Sequence, residues 1–337
     1  MDKRTLGAGG PQVAPLGLGC MGMSWGYAES GRDDDASIRV IQAALDAGVD
    51  LLDTAVIYGD GHNERLVGRA IAGRRNEVVV ASKGGLIVDD LATKRMHRDG
   101  SPATLRRQVD ESLARLGVDR IDLYYLHRVD PEVPVEDSWG TLADLVAEGK
   151  IDQLGLSEVT IAQAETAHAI HPVAAIQSEL SLWTRDPLGL HAADTRASRA
   201  AGAGADAGGD LLAWTREHGT AFVPFAPLGR GYLTGTLAAG EFEDGDFRAT
   251  NPRFAAEAFA VNQAITDEVA RIAAAHEATP AQVSLAWLVG LSSNIIPIPG
   301  TRSTTHLAEN LAAIGLQLTS AERERLDRLP AAYGSRY

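Results

Sequence analysis

The sequence predicts a closed parallel α/β barrel, on three observations. Eight short apolar runs recur along the 337 residues, helical periods separate them, and the runs are apolar on both faces. Strands buried on both faces belong to parallel sheets with helices on one side and a packed interior on the other. Strand and helix in alternation is the order such a sheet requires. An open doubly wound sheet is the rival arrangement. No break in composition divides the chain, so residues 1–337 read as one domain.

The elements follow in order. KRTLGAGGPQV (3–13) reads as a short hairpin turning at GAGG, placed to close the bottom of a barrel. The runs are APLGLGC (14–20), VDLLDT (49–54), EVVVASK (77–83), IDLYYLH (121–127), DQLGLSE (152–158), AAIQSE (174–179), AFVPFAP (221–227) and NIIPIPG (294–300). Between them, Ile38, Ile41 and Leu45 share one helical face, as do Leu105, Val109 and Leu113, Leu142 with Val146, and Leu307, Leu311 and Ile314. Asp34 or Asp35, Ser101 and Ser303 are candidate N-caps. Gly48, Gly73, Gly117, Gly149 and Gly219 stand where helices should stop. Residues 189–210, rich in Ala, Gly and Asp, read as a flexible surface insertion. Residues 238–262 read as a long loop near the active-site face, and Phe242, Phe247, Phe254 and Phe259 give it something to pack with.

Composition excludes several functions. The net charge of −14 disfavours nonspecific binding to nucleic acid. No run approaches the ~20 apolar residues of a membrane span, so no membrane partner is expected. The N-terminus lacks the apolar core of a secretory signal. Cys20 is the only cysteine, which rules out an internal disulfide and fits a reducing, cytoplasmic compartment.

GLGCMG (17–22) matches the dinucleotide fingerprint literally, but no helix opens on it. MSWGYAESGRDDD follows, and the next helix begins near Ala36. No phosphate-binding lysine loop, nucleophile elbow or metal-like histidine spacing is present; His168 and His171 lie close together without further ligands.

In a βα-barrel the chemistry sits at the C-terminal strand ends. Those ends carry Gly22 with Met23, Asp53 with Tyr58, Lys83, His127, Ser157 with Glu158, Gln177, Phe225 and Gly300. An acid, a phenol, an amine and an imidazole therefore meet at one mouth. A phenol with a pKa near ~10 is a poor acid at neutral pH. An ammonium beside it favours phenolate, and a carboxylate holds that ammonium charged. An imidazole orients a carbonyl oxygen or shares the proton. This is a general acid–base suited to a carbonyl oxygen. Side chains supply no hydride, so a nicotinamide cofactor is the natural donor.

With DTAVIYG (53–59), ASKGG, LYYLHRVD, GKIDQLGLSE, QSELSLWTRD, FVPFAPLGRGYLTG and IPIPGTRSTTHLAENL in this order, the chain resembles the aldo-keto reductase superfamily over nearly its whole length. DFRATNPRFAAEAF (246–259) makes it similar to bacterial long-chain members, related to the potassium-channel β subunits. The resemblance implies a (β/α)8 TIM barrel with an N-terminal hairpin and extra C-terminal helices. It implies an NADP-dependent oxidoreductase of the alcohol dehydrogenase type, acting on aldehydes or ketones. Tyr58 is then the acid, supported by Asp53, Lys83 and His127. Ser157 and Gln177 fall at the nicotinamide carboxamide, Phe225 on the nicotinamide ring, and Gly22 and Met23 near its ribose.

The phosphate end follows runs seven and eight, where barrels build phosphate sites. Leu228 and Gly229 offer backbone groups there and Arg230 a cation. Gly300, Thr301, Arg302 and Ser303 lead into a helix N-terminus that favours anions. Arg302 is the candidate for an adenosine 2′-phosphate, which means NADPH, with NADH as the alternative. His306, Glu309 and Asn310 complete the expected cofactor contacts. Glu158 and His306 depart from the residues common in the family. Trp183 either lines the substrate pocket or packs. The alternative function is a cofactor-binding regulatory or sensor module with little turnover.

Overall fold

The computed structural model describes residues 2–190, 209–240 and 242–336. Strands β1 (Arg4–Thr5) and β2 (Gln12–Val13) pair antiparallel as the expected hairpin. Next come β3 (Leu18–Gly19), helix α1 (Asp34–Asp46), β4 (Leu51–Asp53), α2 (His62–Ile71) and β5 (Val79–Gly84). A second hairpin, β6 (Leu86–Asp90) and β7 (Arg95–Arg98), precedes α3 (Pro102–Leu116). Then β8 (Ile121–Leu126), α4 (Val135–Ala147), β9 (Ile151–Ser157), α5 (Ile161–Ile170), β10 (Ala175–Glu179), α6 (Leu211–Glu217) and β11 (Ala221–Phe225) alternate. Four helices end the chain: α7 (Ala256–Ala275), α8 (Pro280–Leu291), α9 (Thr304–Ala312) and α10 (Ser320–Asp327).

The parallel sheet runs β3-β4-β5-β8-β9-β10-β11. The eighth run closes it without forming a full strand. Ile296 and Ile298 donate backbone N–H groups to Phe222 (2.8 Å) and Pro224 (3.0 Å), while Gly17 and Gly19 donate to Pro297 (2.9 Å) and Pro299 (3.2 Å). Alternation along the run explains why two prolines fit. They occupy the positions facing β3, where only their carbonyls are called on. Gly19 is needed there as well, because a Cβ would sit 2.8 Å from the Ile298 oxygen.

Leu6 and Val13 of the first hairpin pack with Leu51, Leu123, Val223 and Ile296 inside the barrel, so the hairpin stoppers one end. Helices cover the outside through a larger cluster that includes Ile41, Val109, Leu142 and Leu307. Ser101 and Ser303 cap α3 and α9 as expected, and Gly117 ends α3 in the left-handed region at φ +67°.

Three expectations are corrected. The cap of α1 is Asp33, whose Oδ1 accepts from Ala36 N at 2.9 Å; Asp34 and Asp35 lie in the first turn, where carboxylates suit the helix dipole. The long loop stops at Ala255, because the alanine-rich stretch beyond it forms α7 with Ala258, Asn262, Ile265 and Val269 on its buried face. The β6–β7 hairpin was not foreseen. For the insertion, Leu188 and Asp210 pair across its base, and residues 191–208 lie outside the described residues.

Candidate active site

The C-terminal strand ends open on one cavity of about 1570 Å³. Its walls are the strand ends, the β6–β7 hairpin, the loop that precedes α7 and the start of α9.

Asp53 and Tyr58 line it, and Lys83 lies behind them, fully buried near the end of β5. All three ammonium protons are placed: on Asp53 Oδ1 at 2.5 Å, on the Thr54 carbonyl at 2.8 Å and on Tyr58 Oη at 3.2 Å. Asp53 Oδ2 accepts from Gln177 Nε2 at 2.7 Å. The sequence puts these groups together for a local reason. Asp53 ends β4, a turn follows in which Tyr58 N bonds the Ala55 carbonyl, and the phenol swings back over the barrel mouth. The rings of Tyr58 and His127 meet edge-on with centroids 6.0 Å apart.

Electrostatics set the protonation states. Burial penalises the Lys83 ammonium, but Asp53, then Tyr58, more than offset it, and the lysine pKa rises. Burial, then the Arg128 and Lys83 cations, hold the His127 pKa well below the imidazole range, so the ring is neutral. Burial raises the Tyr58 pKa; Lys83 pulls it down and Asp53 pushes it up. Lys83 therefore pulls the phenol pKa down, as expected of an ammonium beside it, but burial outweighs the pull and the value stays above the ordinary one. Tyr58 stands ready as a protonated phenol.

Residues 15–331 match the Aldo/keto reductase family. The chain belongs to the aldo/keto reductase family. It is 36% identical over 336 residues to the probable aldo-keto reductase 1 of Glycine max, covering 98% of this chain and 90% of that protein. Among solved structures it is similar to the glycerol dehydrogenase AKR11B4 of Gluconobacter oxydans, with TM-score 0.80, 29% identity, and 97% and 94% of the two chains covered. An aldo-keto reductase from Klebsiella pneumoniae in complex with NADPH gives TM-score 0.71 and 25% identity over 99% and 97% of the chains.

Along the same cavity of this aldo/keto reductase lie Gly22, Ser157, Gln177, Phe225, Leu228, Arg230, Gly300, Thr301, Arg302, His306, Glu309 and Asn310. Met23 and Gly229 do not line it. Met23 turns into the core at 1% exposure, leaving Met21 and Gly22 at the wall. Gly229 lies against Trp183, and its N–H is used on the Ala226 carbonyl at 2.9 Å. Arg230 is held by Glu179 at 3.0 Å and lies over the Phe247 ring. Arg302 bonds the Ala28 carbonyl at 3.1 Å, and burial, with the nearby Arg32 and Arg248 cations, lowers its pKa. A cation cluster beside a helix N-terminus is the chemistry of a phosphate site.

Glu158 faces away from the cavity. It accepts from Glu179 N at 2.8 Å and pairs with Arg336 at 2.5 Å, so this departure ties down the C-terminal segment. Trp183 is packing: it is buried and stacks on Tyr232 at 4.3 Å. Sequence reading missed the cover. Ala92, Lys94, Met96, His97 and Arg98 of the β6–β7 hairpin line the cavity, and Lys94 reaches the Gly245 carbonyl of the facing loop. It also missed Arg128, although LHRVD contains it; its Nη1 donates to the His127 carbonyl at 2.6 Å and to Ser157 Oγ at 3.0 Å.

Proposed function

We propose that this protein is an NADPH-dependent reductase of aldehydes and ketones in which Tyr58 delivers the proton. One observation carries the reading: a buried lysine with its three protons committed to Asp53, Thr54 and Tyr58, behind the wall of a cavity of about 1570 Å³. When bound, the reduced nicotinamide supplies a hydride to the carbonyl carbon. The side chains do the rest. Tyr58 donates a hydrogen bond to the carbonyl oxygen and releases its proton there as charge builds. Lys83 stabilises the phenolate left behind, and Asp53 keeps Lys83 charged and fixed. Neutral His127 orients the carbonyl oxygen without competing as an acid. Ser157 and Gln177 would hold the carboxamide and Phe225 the ring face, with Arg230, Arg302 and the start of α9 on the phosphates. The tetrad works in both directions, and likeness to a glycerol dehydrogenase favours the alcohol dehydrogenase type of activity as well.

The test is cofactor consumption with an aromatic aldehyde, using NADPH and NADH side by side. Preference for NADPH that is lost in Arg302→Ala supports the assignment. Equal use of both cofactors by the wild type contradicts the role given to Arg302.

A further inference from the structure

Several charged side chains on the cavity wall are matched. Asp53 is paired with Lys83, Asp246 with Arg248, Lys94 with Glu29 and His97 with Asp89. On the reading above, Arg230 and Arg302 face the cofactor end. Two guanidiniums at the reacting end are left over. Neither Arg98 nor Arg128 has an acidic partner among the described residues, in a protein whose net charge is −14. Arg98 donates to the Val129 carbonyl at 3.1 Å, so the two arginines are neighbours in the fold.

Arg128 is also held in place. Both of its bonds are made by Nη1, to the His127 carbonyl and to Ser157 Oγ. That leaves Nε and Nη2 without a partner among the described residues, on a side chain that lines the cavity. The position is informative. His127 follows β8 and Ser157 ends β9, so Arg128 lies between the group that orients the carbonyl and the group assigned to the carboxamide. A guanidinium with two adjacent N–H groups and no partner matches a carboxylate in geometry and charge. Trp25, Ile57, Leu86 and Met96 supply the apolar remainder of this end.

From this arrangement we infer that the preferred substrates carry a carboxylate close to the reacting carbonyl, with Arg128 binding the carboxylate and Arg98 adding to the field. The inference rests on the reductase reading and narrows it to one substrate class. It also gives Arg128 a second effect. By donating to Ser157 Oγ it makes that oxygen an acceptor, which leaves the hydroxyl proton for the carboxamide oxygen.

Matched pairs of substrates separate the two effects. The ortho, meta and para carboxybenzaldehydes are compared with the methyl esters of the same three acids, for wild type, Arg128→Met, Arg128→Lys and Arg98→Met. The wild type should favour at least one acid over its ester by about tenfold or more in kcat/KM. In Arg128→Met that ratio should fall to about one, mainly through KM of the acid. Arg128→Lys should recover part of it, and Arg98→Met should lower it less. Loss of the Ser157 contact alone would slow acid and ester alike and leave the ratio unchanged, and that result overturns the inference. So does a wild type that never prefers an acid. If Arg128→Met does not fold, benzoate inhibition of the wild type decides: competition against the ester supports the site, and its absence overturns it. If acids and esters are all inert, the reductase reading fails first, and the inference with it.

Discussion

At the level of single residues, Tyr58 and His127 show how burial sets the chemistry. Tyr58 is raised above the ordinary phenol pKa by burial. Reduction needs the protonated phenol, so its rate should stay level through neutral pH and fall only above about 10. A pH–rate profile of kcat for reduction checks this. Removing the ammonium in Lys83→Met takes away the group that lowers the phenol pKa and strands the buried Asp53 carboxylate. The rate should drop by about a hundredfold or more, with a stability loss of roughly 3–5 kcal/mol in urea denaturation. His127 gives a second pH effect, on stability. The folded chain keeps it neutral, while the unfolded chain titrates near 6.5. Its contribution is therefore complete above that pH. Stability is lost as the pH falls from there toward the depressed folded value, by at most about 1.4 kcal/mol per pH unit. Urea midpoints between about pH 7.5 and 5.5 should fall less steeply in His127→Gln than in the wild type.

At the scale of elements, the cover over the cavity is built from two pieces that meet. The loop before α7 is anchored where Phe247 N bonds the Gly26 carbonyl at 3.1 Å and the Phe247 ring lies 5.1 Å from Tyr27. Gly26 has φ +85°, and a Cβ there would fall 2.3 Å from the Phe247 ring. Gly26→Ala should lower stability by about 1–3 kcal/mol and raise the KM for NADPH, since both the backbone and the ring must move. Denaturation and cofactor titration together check it. This element was only partly legible in the sequence. The aromatic spacing shows that the loop packs, but Phe254 and Phe259 carry that spacing across the start of an alanine-rich helix and hide where the loop ends. The β6–β7 hairpin was missed for a physical reason. One strand, β7, is exposed throughout and β6 is mostly half-buried, so LIVDDLATKRMHR carries no buried alternation, and only the turn at Asp90, which accepts from Ala92 and Thr93, marks it.

For the whole molecule, the barrel was legible because its strands are buried on both faces and its helices carry regular apolar stripes. That Asp53, Lys83 and His127 meet at one mouth was legible for the same reason: they are polar residues at the ends of otherwise apolar runs. Arg128 was not, because an arginine after a strand looks like any surface cation until its two contacts are seen. The far end of the barrel contributes stability rather than chemistry. Leu6 is fully buried in the interior cluster, remote in the fold from the mouth. Leu6→Ala should cost about 2–5 kcal/mol in chemical denaturation while leaving the KM for NADPH near that of the wild type.

The most direct measurement is single-turnover reduction of an aromatic aldehyde by wild type and Tyr58→Phe, with NADPH binding followed by fluorescence in the same samples. Turnover is expected in the wild type, with loss of it by about a hundredfold or more in the variant and similar cofactor affinity in both. Undiminished turnover in Tyr58→Phe would contradict Tyr58 as the proton donor.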